Sequence, residues 1–310
     1  MISISEQAPF GRGEGTVTDN SVRNCWQIDA SQFEISNPMW DVAMKNLADL
    51  IAAELGLYDC EVIFEPYKLL TYETGSFFVR HRDTEKMPAM FATCVINLPS
   101  AHQGGELIVS HGDKRVSVSF ADNDLFSSGF AAFYADCYHE IKPITAGHRI
   151  CLVYNLAIKN RKQQPLFNDS LVNFSAVCDV LDKYASSNAP QPLIAYLLEH
   201  HYTEQNLSLN NLKGNDHNKA HTLMQAAKSC NFEAYLCLVT YYRNSYGDVS
   251  YGNMYDDAEE EDFEEFDIAE QYIKASTFIG LDPQSAPIGD FEISDQELLA
   301  KVSLCRTALH

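Results

Sequence analysis

The stretch from Val62 to Leu156 constrains this chain more than any other, because it breaks into eight short apolar or alternating runs. They are Val62–Thr71, Phe77–Arg80, Phe91–Leu98, Glu106–Ser110, Val116–Phe120, Phe130–Tyr134, His139–Pro143 and Ile150–Leu156. Turn-forming clusters separate them: Thr74-Gly75, Pro99-Ser100, Gln103-Gly104-Gly105, His111-Gly112-Asp113, Asp122-Asn123-Asp124 and Ala146-Gly147. Runs so short and so closely spaced leave no room for crossover helices, which argues against a parallel α/β sheet. The expected fold is α+β, with a double-stranded β-helix (jelly-roll) core over about 62–156.

The flanks differ in texture. Residues 1–35 read as an irregular lead-in, and Gly11-Arg12-Gly13-Glu14-Gly15 lacks the preceding strand and following helix of a phosphate loop. From Pro38 to Leu55, Trp40, Ala43, Leu47, Leu50, Ile51 and Leu55 recur at helical spacing, with Gly56 as the stop. Beyond the core, helices are expected over Asp169–Ser186, Pro192–His200 and Asn218–Ser229. Glu233–Tyr242 fits strand or helix, Ile268–Ile279 is a further element, and a last helix runs from Ser294 to about Leu304. The chain thus divides into residues 1–158, holding the jelly roll, and an accessory α+β region over 159–310.

With 43 acidic and 22 basic side chains, the net charge of -21 argues against nucleic acid or an anionic membrane as partner. The excess is partly local: Asp256–Asp267 holds nine acids and no base. It reads as a solubilising loop, or as a docking surface for a basic protein with Phe263 and Phe266 as anchors. Nine cysteines without a C-x-x-C pair, an N-terminus unlike a signal peptide, and no run of 18 apolar residues point to a reduced, cytoplasmic chain that does not span a membrane. Cys94, Cys137 and Cys151, in or beside core strands, are expected to be buried small hydrophobes.

Chemistry concentrates in His81-Arg82-Asp83. Residues two apart on extended backbone leave the same face, so the imidazole and the carboxylate converge. His139 opens a later strand, and the first and penultimate core strands of a jelly roll are expected to be neighbours, which brings the three together. Two histidines and one carboxylate on one face of a metal leave open positions, the arrangement of non-haem Fe(II) oxygenases. Zn(II) accepts the same ligands and would give a hydrolase. Arg149 offers a fixed cation where a dicarboxylate would end. Tyr134, Tyr138 and Arg82 flank the ligands, within reach of substrate or as structural residues. His148 is expected to face outward, His102 and His111 to lie in solvent-facing loops, and His200-His201 to close a helix.

On these residues the chain resembles the Fe(II)- and 2-oxoglutarate-dependent dioxygenases of the prolyl 4-hydroxylase type. The matching residues are Tyr72-Glu73-Thr74-Gly75, His81-Arg82-Asp83, Gly104-Gly105-Glu106-Leu107, His139 and Arg149. Pro9-Phe10-Gly11-Arg12-Gly13 with Ser21-Val22-Arg23 is similar to the lead-in of a prokaryotic and fungal branch. The resemblance implies that His81, Asp83 and His139 ligate iron, that Arg149 binds the distal carboxylate of 2-oxoglutarate, and that Tyr72 lines the cosubstrate pocket. It also implies use of O2, with ascorbate as reductant, and hydroxylation of an unactivated carbon, such as a proline in a protein, with release of succinate and CO2. Phe78 and Asn97 stand where relatives often carry tyrosines, and Cys151 replaces a Ser or Thr seen in some. The alternative is a non-catalytic metal-binding jelly roll that docks a basic partner through its acidic loop.

Overall fold

The computed structural model describes residues 2–12, 15–57, 60–121, 125–161, 168–186, 194–245, 268–280 and 288–293. The acidic segment 256–267 and the helix expected from Ser294 lie outside these residues. Two compact units divide the chain, Met1–Gln163 and Gln164–His310.

In the first unit eight strands build the core: β1 (Cys60–Glu73), β2 (Phe77–His81), β3 (Met90–Asn97), β4 (Leu107–His111), β5 (Lys114–Val118), β6 (Gly129–Tyr134), β7 (Tyr138–Ile141) and β8 (Ile144–Arg161). They form two antiparallel sheets, in the orders β1-β8-β3-β6 and β5-β4-β7-β2. Consecutive strands thus alternate between sheets or return by hairpin, which is the double-stranded β-helix. The penultimate strand pairs with the second strand, β2, while the first, β1, pairs with the last. The neighbour relation expected from sequence was therefore one strand out, although it still brings His139 to His81.

Side-chain alternation explains the two cores. Cys151 and Val153 of β8 face the space between the sheets, with Leu70, Tyr72, Val95, Leu107 and Phe133. Leu152, Tyr154, Leu156 and Ile158 face the other way, onto α1 (Trp40–Glu54). All eight residues of β3 are buried because it is covered on both faces. On α1 the buried stripe is Trp40, Met44, Leu47, Ile51 and Ala52, whereas Ala43 and Leu50, counted as apolar positions from periodicity, are exposed. Trp40 Nε1 donates to the Tyr154 hydroxyl at 3.1 Å, tying helix to sheet.

The lead-in is more ordered than its composition suggests. Trp26–Asp29 pairs with β1, Glu6–Gln7 pairs with Trp26–Asp29, and Arg23–Asn24 pairs with β2. Each covers a sheet edge that would otherwise leave backbone groups unpaired. These runs are two to four residues long, too short for any periodicity to announce them.

The second unit contains α2 (Asn168–Ala185), α3 (Gly214–Ser229) and an antiparallel sheet in the order β9 (Tyr235–Ser245), β10 (Ile268–Gly280), β11 (Phe291–Ile293). Glu233–Tyr242 therefore resolves as strand, in keeping with its β-branched and aromatic content. The helix expected over Pro192–His200 is absent from its described part, 194–200. Those residues are instead held by Asp216, fully buried in the first turn of α3. It accepts from the backbone N–H groups of Glu199 and His200, both at 2.9 Å, and from the Tyr202 hydroxyl at 3.0 Å. His200 consequently caps no helix there. No helix among the described residues is long and apolar enough to cross a membrane.

Candidate active site

β2 and β7 assemble the centre. His139 lies directly opposite His81, and Ile141 opposite Phe78. Two steps along β7 thus match three along β2, a bulge that turns both Phe78 and His81 inward although they are three apart. Beyond β2 the chain brings Asp83 alongside, and the ligand atoms of His81, Asp83 and His139 all lie within 4.8 Å of one another. His139 Nε2 is 3.8 Å from Asp83 Oδ2.

Each imidazole is oriented by its own strand. His81 Nδ1 is 2.8 Å from the Val79 carbonyl and His139 Nδ1 is 3.3 Å from the Cys137 carbonyl. A carbonyl only accepts, so both Nδ1–H groups donate and leave the Nε2 lone pairs for a metal. Burial, and then the neighbouring His139, push the His81 pKa down to about 3, so its ring is neutral at physiological pH. Burial opposes ionisation of Asp83, but the two histidines and a 2.6 Å hydrogen bond from the Thr93 hydroxyl outweigh it and lower its pKa. Two imidazoles beside a carboxylate are a donor set suited to a divalent cation. Phe78 stacks on His81 with ring centroids 3.5 Å apart, and Phe133 lies 4.6 Å from His139.

Arg149 is completely buried in β8. Its Nε donates to Asn97 Oδ1 at 3.0 Å and its Nη1 to the Gly105 carbonyl at 2.9 Å. Tyr72, its cross-strand partner on β1, and Phe120 place their rings 5.8 and 4.9 Å from the guanidinium. Its Nη2 has no hydrogen-bond partner, and no carboxylate among the described residues pairs with it. A buried cation lacking its counter-ion costs about 3–5 kcal/mol, so this environment suits an anion. A carboxylate-bearing cosubstrate would satisfy the Nη2 donor.

β3 links the two ends. Thr93 touches Asp83 and Asn97 touches Arg149, four residues apart on one face and thus about 13 Å along the strand. Sequence reasoning did not single out Thr93, and it named Arg23 only within the lead-in resemblance, without a place in the site. Interior parity along β3 could have found Thr93. Arg23, whose guanidinium lies 4.5 Å from the Phe78 ring, comes from the lead-in, where only the Ser21-Val22-Arg23 resemblance pointed to it.

Several expectations need correction. His102 is buried on the short strand His102–Gly104, and His111 ends β4, 3.5 Å from Asp136; neither is a solvent-facing loop residue. Tyr138 sits under Arg80 and Arg82, at 4.0 and 4.7 Å, on the sheet face opposite His139. The Tyr134 hydroxyl donates to the Leu55 carbonyl at 2.5 Å. These contacts are structural, which is one of the two readings the sequence left open for both tyrosines and so no correction. His148 is exposed, as expected, and Cys94, Cys137 and Cys151 are buried. Burial pushes the Cys94 thiol to about 12 and that of Cys151 to about 11, which keeps both protonated.

Residues 67–157 match the sequence model of the 2OG-Fe(II) oxygenase superfamily. With the jelly-roll topology, this makes the stretch similar to the 2OG-Fe(II) oxygenases, a superfamily that uses Fe(II), 2-oxoglutarate and O2. Among solved structures, the chain is similar to a 2OG-Fe(II) oxygenase family oxidoreductase from Burkholderia pseudomallei (17% identity, TM-score 0.36, covering 52% of this chain and 76% of that one). It is also similar to a Trichoplax adhaerens prolyl hydroxylase solved in complex with a hypoxia inducible factor peptide fragment (18%, TM-score 0.37, 50% and 71%). A third is a Pseudomonas putida prolyl-4-hydroxylase (20%, TM-score 0.31, 47% and 76%). No curated protein matches the sequence.

Proposed function

We propose that residues 1–158 hold Fe(II) through His81, Asp83 and His139 and 2-oxoglutarate through Arg149, and hydroxylate an unactivated carbon with release of succinate and CO2. The observation that carries this reading is the buried guanidinium of Arg149, with one unsatisfied N–H, in the same barrel as the His81/Asp83/His139 cluster. A structural metal site has no use for such a cation.

Bound Fe(II) supplies the redox chemistry for C–H oxidation with dioxygen. The chain's own residues do the positioning. Thr93 keeps Asp83 ionised and aimed, and the carbonyls of Val79 and Cys137 fix the tautomers of the two histidines. Asn97 and Gly105 hold the Arg149 fork in place, Tyr72 walls its pocket, and Phe78 and Phe133 keep water from the imidazoles. The proposed substrate is a carbon on a protein side chain such as proline, in the cytoplasm, with ascorbate as reductant. Residues 159–310 form the accessory region of this reading.

The test is succinate formation by the full chain with Fe(II), 2-oxoglutarate and candidate protein substrates, together with a search for a one-oxygen mass gain in captured partners. Purified protein that binds neither Fe(II) nor 2-oxoglutarate would sink the proposal.

A further inference from the structure

Among the described residues two buried side-chain atoms lack a hydrogen-bond partner, Arg149 Nη2 and His102 Nε2. Both side chains are deep inside, with Arg149 0% and His102 7% exposed. Strand pairing sets their backbones near one another. His102 lies opposite Gly147 on β8, two residues before Arg149, while the intervening His148 points outward and is exposed. On this end of β8 the outward-facing His148 is exposed whereas His102 and Arg149 are both buried, so the His102 ring lies off the outward face, on the side that Arg149 occupies. The strand carrying His102 leads straight into Gly105, whose carbonyl already holds Arg149.

His102 Nδ1 lies 2.9 Å from the Ser100 carbonyl and donates to it, which leaves Nε2 as the ring atom free to meet a ligand. The Ser100 hydroxyl accepts from Ile150 N–H at 3.1 Å, anchoring this turn beside Arg149. Asn97 offers the cosubstrate little help: its Oδ1 is taken by Arg149 and its Nδ2 donates to the Leu98 carbonyl.

Resting on the cosubstrate reading above, we propose that His102 is a positioning residue for the distal carboxylate of 2-oxoglutarate. Arg149 Nη2 donates to one carboxylate oxygen. His102 Nε2 accepts from one water, which donates its other proton to the second oxygen. A carboxylate offers only acceptors, so a ring carrying its proton on Nδ1 meets it across water, and the water has the partners it needs. Both unsatisfied atoms are then satisfied by one ligand.

Titration calorimetry on the full chain loaded with Mn(II), which binds without turnover, tests this with two ligands. These are 2-oxoglutarate and 2-oxopentanoate, which keeps the chelating end but lacks the distal carboxylate. His102→Ala is expected to weaken 2-oxoglutarate about three- to tenfold, as for one polar contact, and to leave 2-oxopentanoate unchanged. His102→Gln, whose amide reaches a carboxylate directly, should restore most of the loss. Unchanged 2-oxoglutarate affinity in His102→Ala, or equal weakening of both ligands, overturns the proposal. Should His102→Ala fail to fold, His102→Leu against His102→Gln makes the same comparison. Unaltered protein that shows no preference for 2-oxoglutarate over 2-oxopentanoate overturns the cosubstrate reading itself.

Discussion

His139 stands directly across the β2–β7 ladder from His81, with the two ring centroids 4.1 Å apart. Two positively charged imidazoles would repel at that distance, whereas two neutral ones can share a cation. The bulge in β2 makes the pairing productive, because it lets Phe78 buttress one ring without displacing it.

Removing a donor should therefore empty the centre without unfolding the barrel. His139→Ala and Asp83→Ala are expected to lose stoichiometric Fe(II) and all iron-dependent succinate formation. Dialysis of the parent protein against a chelator should do the same reversibly. Metal analysis beside circular dichroism checks both. Full iron retention in either variant would show that the ligands lie elsewhere.

At the other end of the pocket, Asn97 sets the state of Arg149. Asn97→Leu strips the acceptor from Arg149 Nε and should cost about 1–3 kcal/mol of stability as well as weakening 2-oxoglutarate binding. Asn97→Asp should do the opposite to stability and the same to binding. The new carboxylate neutralises the buried guanidinium and competes with the ligand. Urea unfolding paired with calorimetric titration reads both signs.

Acid should destabilise the metal-free protein. An unfolded histidine takes up its proton near pH 6.5, whereas folded His81 holds off until about 3 because burial, and then His139, resist the charge. Between those values the unfolded chain binds more protons, so stability falls as pH drops from about 6.5 towards 3. Asp83, lowered from its ordinary value, adds to the loss at the acid end. Calorimetric melting of metal-free protein at pH 7, 6 and 5 should show a falling Tm. The slope should flatten in His81→Phe.

Two glycines differ from a third in what surrounds them. At Gly147 (φ +78°) an added Cβ would run into the Ala101 carbonyl and His102 Cα, and at Gly105 (φ +74°) into Ile144 Cδ1. Gly75 has open space around it at φ +88°. Gly147→Ala is expected to destabilise most, beyond the ~1–3 kcal/mol typical of overpacking, since backbone cannot swing aside as a side chain can. Gly105→Ala should fall next and Gly75→Ala last, in an order that urea midpoints will report.

Sequence by itself determined the eight strand runs, their turns, the amphipathic α1 and the chemical identity of His81, Asp83, His139, Arg149 and Tyr72 as a set. Those features are local: alternation, turn residues and residue type are written within a few positions. Tertiary structure decided which strands became neighbours, correcting the partner of β7 from the first strand to the second. It also placed the bulge that turns Phe78 inward and recruited Arg23 and Thr93 from distant segments. His102 passes for a loop residue in the sequence, because its burial depends on β8, more than forty residues later. The lead-in strands formed only because sheet edges needed partners. Pairing across such distances is set by packing and by the cost of unsatisfied polar groups, quantities that exist only once the chain has closed on itself.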